Sequence, residues 1–179
     1  MRLLYVTKTT LFWVLLLNLE LCLAQGTRLL RQPDISSTHV TFTYGSDLWV
    51  SELNGNQVRR ITATAAVESD PHFSPDGQWI AFSSNRAGSN SVYVVSVNGG
   101  DAKRLTWHPA AATVRGWTTD GKRILYACDR ETAPAPYNRL WTVPAEGGVP
   151  ELLSAQWGND GYFSPNGREM VIDKWIGGM

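Results

Sequence analysis

Two arginines, Arg86 and Arg130, stand 44 residues apart at the same place in a repeated motif, each just past a run of alternating apolar and polar residues. A guanidinium presents a planar fork of donors that suits a carboxylate, so both are candidates for binding the carboxylate of a peptide. The competing assignment is a pair of exposed arginines that bond neighbouring loops. Nothing else in the chain assembles into a reaction centre. Nucleophilic catalysis needs a Ser or Cys beside an oriented base, and no G-x-S-x-G elbow occurs. His39 falls in the first repeat and His72 and His108 at opposite ends of the second, at strand starts or turns, without i, i+4 or metal-ligand spacing. No catalytic residue, metal ligand or cofactor site is therefore assigned. Cys128 lies in the alternating run ILYAC and reads as a small buried hydrophobe rather than a reactive thiol. Asp70, Asp76 and Asp120 read as turn residues whose carboxylates cap nearby backbone N–H groups.

The elements that carry these residues are set by a repeat. HFSPDGQWIAFSSNR (residues 72–86) aligns with GWTTDGKRILYACDR (residues 116–130) at a constant offset of 44. A third copy, YFSPNGREMVI (residues 162–172), follows 46 residues later, and a degenerate one, PDISSTHVTFTY (residues 33–44), precedes with its turn shortened by two. The second half of the unit recurs as DLWVSELNGNQVRRIT, SVYVVSVNGGDAKRLT and RLWTVPAEGGVPELLS, at offsets of 44 and 48. The four extra residues fall in the Pro-rich stretch 132–138, a lengthened loop. Each unit converts into four short strands. A run ends at a PDG or NG turn, whose Gly tolerates positive φ, and the next alternates at period two as a half-buried strand does. Trp49, Tyr93 and Trp141 occupy one place in the repeat. No segment of the mature part sustains helical periodicity, so the fold class is all-β. Four strands at a period of 44–48 residues define a β-propeller of four-stranded blades.

The units span about residues 31–66, 67–109 and 110–154, with the first half of a fourth at 155–179. Closed propellers have about 4 to 8 blades, so three and a half make an incomplete ring. Apolar faces carrying Trp117, Trp141 and Trp157 are expected to meet water at the open ends, where the chain could form a homo-oligomer.

Sixteen Lys plus Arg balance sixteen Asp plus Glu, and no basic face interleaved with aromatics occurs, which excludes a nucleic-acid binder. The first 24 residues differ from the rest: Arg2 and Lys8 precede the apolar run LFWVLLL, and Cys22 and Ala24 supply small residues before Gln25. This reads as a secretory signal peptide, with an apolar run too short to span a membrane comfortably. Its removal leaves Cys128 as the one cysteine, so the exported protein, periplasmic or secreted, holds itself together by packing without an internal disulfide.

The ordered string QPDISSTHVTFTYGSDLWV, ESDPHFSPDGQWIAFSSN, VNGGDAKRLTWHPA, VRGWTTDGKRILYA and GYFSPNGREM resembles successive blades of the N-terminal propeller of tricorn proteases and their exported homologues, over about residues 28–172. Single PDG blades are shared with TolB-type periplasmic propellers and with propellers of prolyl oligopeptidase relatives. In the tricorn family the propellers precede a small peptide-binding domain and a serine peptidase domain, and are thought to filter or channel unfolded peptides. The resemblance thus implies a substrate-gating portion of a serine protease. Its partners would be unfolded peptides or proteins, the remaining blades and the peptidase domain, and no catalytic residue can be carried over. The alternative is a TolB-like binding or scaffold propeller without enzymatic activity.

Overall fold

The computed structural model describes residues 30–134 and 137–173, with the side chains of residues 154–156 excepted. The leader read at residues 1–24 and part of the Pro-rich loop lie outside the described residues. Fourteen strands and no helix occur among those described. They are β1 (Arg31–Ile35), β2 (His39–Tyr44), β3 (Asp47–Glu52), β4 (Arg59–Arg60), β5 (Glu68–Phe73), β6 (Trp79–Ser84) and β7 (Ser91–Ser96), then β8 (Lys103–Arg104), β9 (Ala112–Trp117), β10 (Arg123–Cys128), β11 (Arg139–Pro144), β12 (Glu151–Trp157), β13 (Asp160–Phe163) and β14 (Met170–Asp173). They form three four-stranded antiparallel sheets in sequence order, β1–β4, β5–β8 and β9–β12, followed by the hairpin β13–β14. These are the blades of a partial propeller whose ring is not closed. Residues 155–157, which the repeat assigns to the fourth unit, belong to the last strand of the third sheet.

The hairpin turns follow from short-range chemistry. In Ser74–Pro75–Asp76–Gly77 the Asp76 Oδ1 accepts from Ser74 Oγ at 2.6 Å and from the Gln78 N–H at 3.0 Å. Asp120 repeats this with Thr118 Oγ1 at 2.6 Å and the Lys122 N–H at 3.1 Å, and Asn166 with Ser164 Oγ at 2.7 Å and the Arg168 N–H at 2.9 Å. The bonds to hydroxyl and backbone hold both aspartates below the usual carboxylate range. In the shortened first copy Ser36 N–H simply donates to the His39 carbonyl at 2.8 Å. Gly77, Gly121 and Gly167 sit at φ of +70°, +68° and +67°, where a β-branched side chain is strained. A Cβ on Gly121 would lie 3.5 Å from Pro75, an ordinary contact, so the cost of Gly121→Val is conformational. We expect a loss of about 1–3 kcal/mol of stability, measured by thermal or urea unfolding. An unchanged midpoint would show the turn to be tolerant.

The outer strands of the first two sheets are brief because side chains replace the ladder. β4 and β8 hold two residues each, and beyond them Thr62 Oγ1 accepts the Leu48 N–H and Thr106 Oγ1 the Val92 N–H, both at 2.9 Å. Arg60 and Arg104 Nε close the same corner on the Thr62 and Thr106 carbonyls at 2.8 and 2.7 Å. The recurrent R-x-T is thus an edge-terminating device.

Strand β6 differs from the half-buried strand expected of it: Ile80, Ala81, Phe82, Ser83 and Ser84 are all 0% exposed. Both of its faces are covered. Ile80 and Phe82 join Leu48, Val50, Tyr93 and Val95 between the first two sheets, while Ala81 joins Val92, Val94, Ile124 and Tyr126 between the second and third. The polar alternation does not mark solvent. Ser83 Oγ accepts the Val114 N–H of β9 at 2.9 Å, so a serine satisfies the backbone of the next blade. Strand β10 divides likewise: Tyr126 and Cys128 face the second sheet, and Leu125 and Ala127 pack with Leu140, Phe163, Met170 and Ile172 of the third and fourth. Trp117 and Trp141 are a correction. Trp141 is 4% exposed within the junction of the second and third sheets and Trp117 packs against the same cluster, because these places lie between blades that are both present. Trp157 is 46% exposed and its ring lies 4.4 Å from that of Tyr137.

Candidate functional site on the inner strands

The first strand of each sheet packs against the first strand of the next: β1 against β5, β5 against β9, and β9 against β13. Three of them carry a bulge, between Arg31 and Asp34, between Ser69 and His72, and around Arg115. Proline has no N–H for a ladder, so Pro33 and Pro71 fit only where pairing is interrupted. Gln32 and Asp70, the residues just before them, both take φ of +50°. A bulge leaves a residue unpaired and turns its side chain out of the regular alternation. Here it turns polar groups towards the neighbouring inner strand.

The result is a chain of bonds from blade to blade. Gln32 Nε2 donates to Asp70 Oδ1 at 2.8 Å, and the Asp70 N–H donates back to Gln32 Oε1 at 3.2 Å. Asp34 Oδ2 accepts the Phe73 N–H at 2.7 Å. Asp70 lies 3.9 Å from Arg115 Nη1, and the His72 carbonyl accepts from Trp117 Nε1 at 2.9 Å. Arg115 Nε reaches the Asn159 carbonyl at 2.6 Å. Together these strands wall a cleft of about 770 Å³, lined by Asp34, His72, Arg115, Tyr162, Ile35 and Phe163 among others. Tyr162 is 63% exposed, and the charge of Asp160, to which its hydroxyl donates at 3.3 Å, holds that hydroxyl above its usual range.

Two sequence expectations are corrected here. Asp70 is not a turn residue; it is a bulged residue inside β5 whose carboxylate joins Gln32, Ser69 and Arg115. His72 is neither at a strand start nor in a turn; it lies within β5 on the cleft wall. Burial pushes its imidazole below 6.5, against the opposing pull of Asp34, Asp70 and Asp160. A histidine with a depressed folded-state pKa binds fewer protons folded than unfolded, so stability rises with pH across the window just below 6.5. We expect unfolding free energy to fall as pH drops from 7 towards 5, and His72→Asn to remove that part of the slope. Parallel slopes for both proteins in urea titrations would contradict this.

The remaining candidates lie elsewhere, and neither arginine lines the cleft. The Arg86 guanidinium lies 4.6 Å from the Tyr93 ring centre, with Nη2 2.8 Å from Glu68 Oε1 and Nε donating to Ser84 Oγ at 3.0 Å. Arg130 lies 4.1 Å over Trp141, and its Nη2 meets Glu131 Oε1 at 3.0 Å. The two therefore share a geometry, a guanidinium over the aromatic of the same repeat place, in separate blades. His39 Nδ1 meets Thr38 Oγ1 at 2.8 Å, and His108 Nδ1 accepts the Ala110 N–H at 3.1 Å. Cys128 is 1% exposed, and burial raises its thiol pKa. No group of three or more His, Cys, Asp or Glu is placed to hold a metal among the described residues. The cleft offers hydrogen-bonding and charged groups along extended backbone.

Residues 27–177 match the family described as the tricorn protease N-terminal beta propeller domain. The chain belongs to that family. Among similar proteins, tricorn protease homolog 1 of Streptomyces coelicolor is 37% identical over 127 residues, covering 69% of this chain and 12% of that protein. The tricorn-like protease N-terminal subunit of Sulfurisphaera tokodaii is 30% identical over 124 residues, covering 68% of this chain and 63% of the subunit. The crystal structure of the tricorn protease superposes with a TM-score of 0.67 at 24% identity, over 76% of this chain and 14% of that one. A TolB from Agrobacterium tumefaciens superposes at 0.69 and 22% identity, over 81% of this chain and 53% of that one. These structural likenesses speak for the fold. The tricorn-type propeller seen here spans only a small share of the Streptomyces relative's length.

In this tricorn-type propeller the wall residues Asp34, Arg115 and Tyr162 escaped sequence reasoning. For Asp34 the signal that could have found it is a proline inside an otherwise strand-like run with a polar residue on each side, QPDI, which DPHF repeats in the next blade. Arg115 carries no such mark, because glycine at the following position opens its bulge instead, at φ +145°.

Proposed function

We propose that this chain is the N-terminal propeller portion of a tricorn-like serine peptidase, and that its inner-strand cleft gates or channels unfolded peptides without cutting them. The observation that carries the reading is the linked row of Asp34, Asp70, His72 and Arg115 on three neighbouring inner strands, β1, β5 and β9. An extended chain presents one donor and one acceptor per residue, which such a row can meet. In this reading residues 1–24 direct export to the periplasm or beyond, and the blades run from residue 31. Further blades and a peptidase domain are the partners, and the open sheets provide a surface for a homo-oligomer. Arg86 and Arg130 would contact peptide carboxylates only by exchanging their present partners. The TolB-like alternative, a binding propeller outside proteolysis, draws on the shared blade motif: TolB of Bordetella pertussis is 42% identical over 53 residues.

Fluorescence anisotropy with labelled, unfolded casein tests the reading. Binding is expected, with a folded globular protein excluded, and the pair Asp34→Lys and Arg115→Glu should weaken it at least about tenfold, or 1.4 kcal/mol. Equal binding by that double variant would overturn the proposal.

A further inference from the structure

A second cleft, of about 400 Å³, opens between the second and third sheets, at the low end of the size that holds small ligands. Two indoles line it, Trp79 and Trp117, and so do the carboxylate residues Asp76, Asp101, Asp120 and Glu146. Trp79 is 47% exposed, although its strand is otherwise buried. None of the four carboxylates has an ion-pair partner among the described residues. The lone cation in the lining, Lys103, spends its ammonium on the Glu146 carbonyl at 2.7 Å.

The repeat supplies an internal comparison. The places of Trp79 and Trp117 are taken by His39 and Phe73 at the first junction, and by Arg123 and Phe163 at the third. Asp101 corresponds to Gln57 and Val149, and Glu146 to Asn98. The blade architecture therefore requires neither the second indole nor these two carboxylates, which this junction alone combines. At the third junction the Trp79 place is filled by the chain's own guanidinium: Arg123 Nε donates to Thr142 Oγ1 at 2.9 Å, and its Nη2 lies 3.3 Å from Glu151. At the second junction an indole stands there instead, with carboxylates around it.

We propose that this cleft binds the guanidinium side chain of an arginine in a peptide. A guanidinium is weakly hydrated, stacks on indole faces and pairs with carboxylates, so it meets both kinds of group present. Ser74, Pro75, Trp117 and Thr119 line this cleft and the inner-strand cleft alike, so an extended peptide on the inner strands could place a side chain here. The inference rests on the peptide reading only for the source of the arginine.

Calorimetric titration of the whole chain with N-acetyl-arginine amide, which carries no charge but the guanidinium, tests it. Saturable binding is expected, with N-acetyl-citrulline amide, the uncharged near-isostere, at least about tenfold weaker. Trp79→Ala should weaken arginine binding by at least about fivefold, and the pair Asp101→Asn and Glu146→Gln by a similar factor that shrinks with added salt. The carboxylate pair is exposed and unpaired, so it decides the matter if Trp79→Ala lowers the melting point. No binding, equal binding of citrulline, or unchanged binding by the carboxylate pair would overturn the inference. Casein binding without arginine binding would remove this site alone, and arginine binding without casein binding would remove the channel reading alone.

Discussion

Phe82→Ala is expected to lower the unfolding free energy by about 3–5 kcal/mol, and the melting midpoint by about 6–20 °C for a domain of this size. The side chain is 0% exposed and lies between the first two sheets with Leu48, Val50 and Ile80. Its ring stacks on Tyr93 at 5.8 Å and carries the Arg86 guanidinium 5.4 Å away. Strands from two blades meet there, so neither can move in to fill the space without disturbing its own hairpin. Val171→Ala, at a residue 74% exposed, should cost no more than about 0.5 kcal/mol. Circular-dichroism melts of the two variants provide the comparison. Similar midpoints would mean that the blade junction does not hold the fold together.

Arg86→Ala should be nearly as costly, at about 3–5 kcal/mol, for a different reason. Glu68 has a fully buried side chain, and its partners are Arg86 at 2.8 Å and the Thr64 hydroxyl at 2.9 Å. Truncating the arginine leaves a buried carboxylate with a single hydroxyl. Arg130→Ala, at the matching place of the next blade, should cost no more than about 1 kcal/mol, because its partner Glu131 is exposed and Ala112 stands where the second blade has Glu68. Replacing the ion pair as a whole, by Arg86→Met with Glu68→Leu, should restore most of the loss. Urea denaturation at neutral pH measures all three. If Arg86→Ala is as mild as Arg130→Ala, Arg86 is free to serve a ligand, and the buried pair has been given too much weight.

How far the sequence was legible depends on the span of each interaction. Asp76 and Asp120 close their turns on groups two residues away, so their role is written in the local motif. The strands and their order follow from the alternation and the constant offset. What covers each face does not: Ser83 looks like a solvent-facing residue until β9 arrives with the Val114 N–H, 31 residues on. The inner wall is harder still. Gln32 meets Asp70 across 38 residues, Asp34 meets Phe73 across 39, and Trp117 meets His72 across 45, so each contact spans a whole blade. Reading Asp70 and His72 from their neighbours alone put them at turns, because proline beside a polar residue also marks a turn. The cleft between Trp79 and Trp117 was hidden for the same reason, since its two indoles come from different units of the repeat.

The central claim, that the inner strands receive an extended peptide, is tested most directly by placing a photoreactive benzoylphenylalanine in the cleft. At position 34, on the cleft wall, irradiation with unfolded casein should give a crosslinked product that excess unlabelled casein removes. At position 149, where Val149 is 80% exposed in the loop between β11 and β12 and does not line the cleft, little or none should form. Crosslinking at position 149 equal to that at position 34, or none at position 34, would contradict the account.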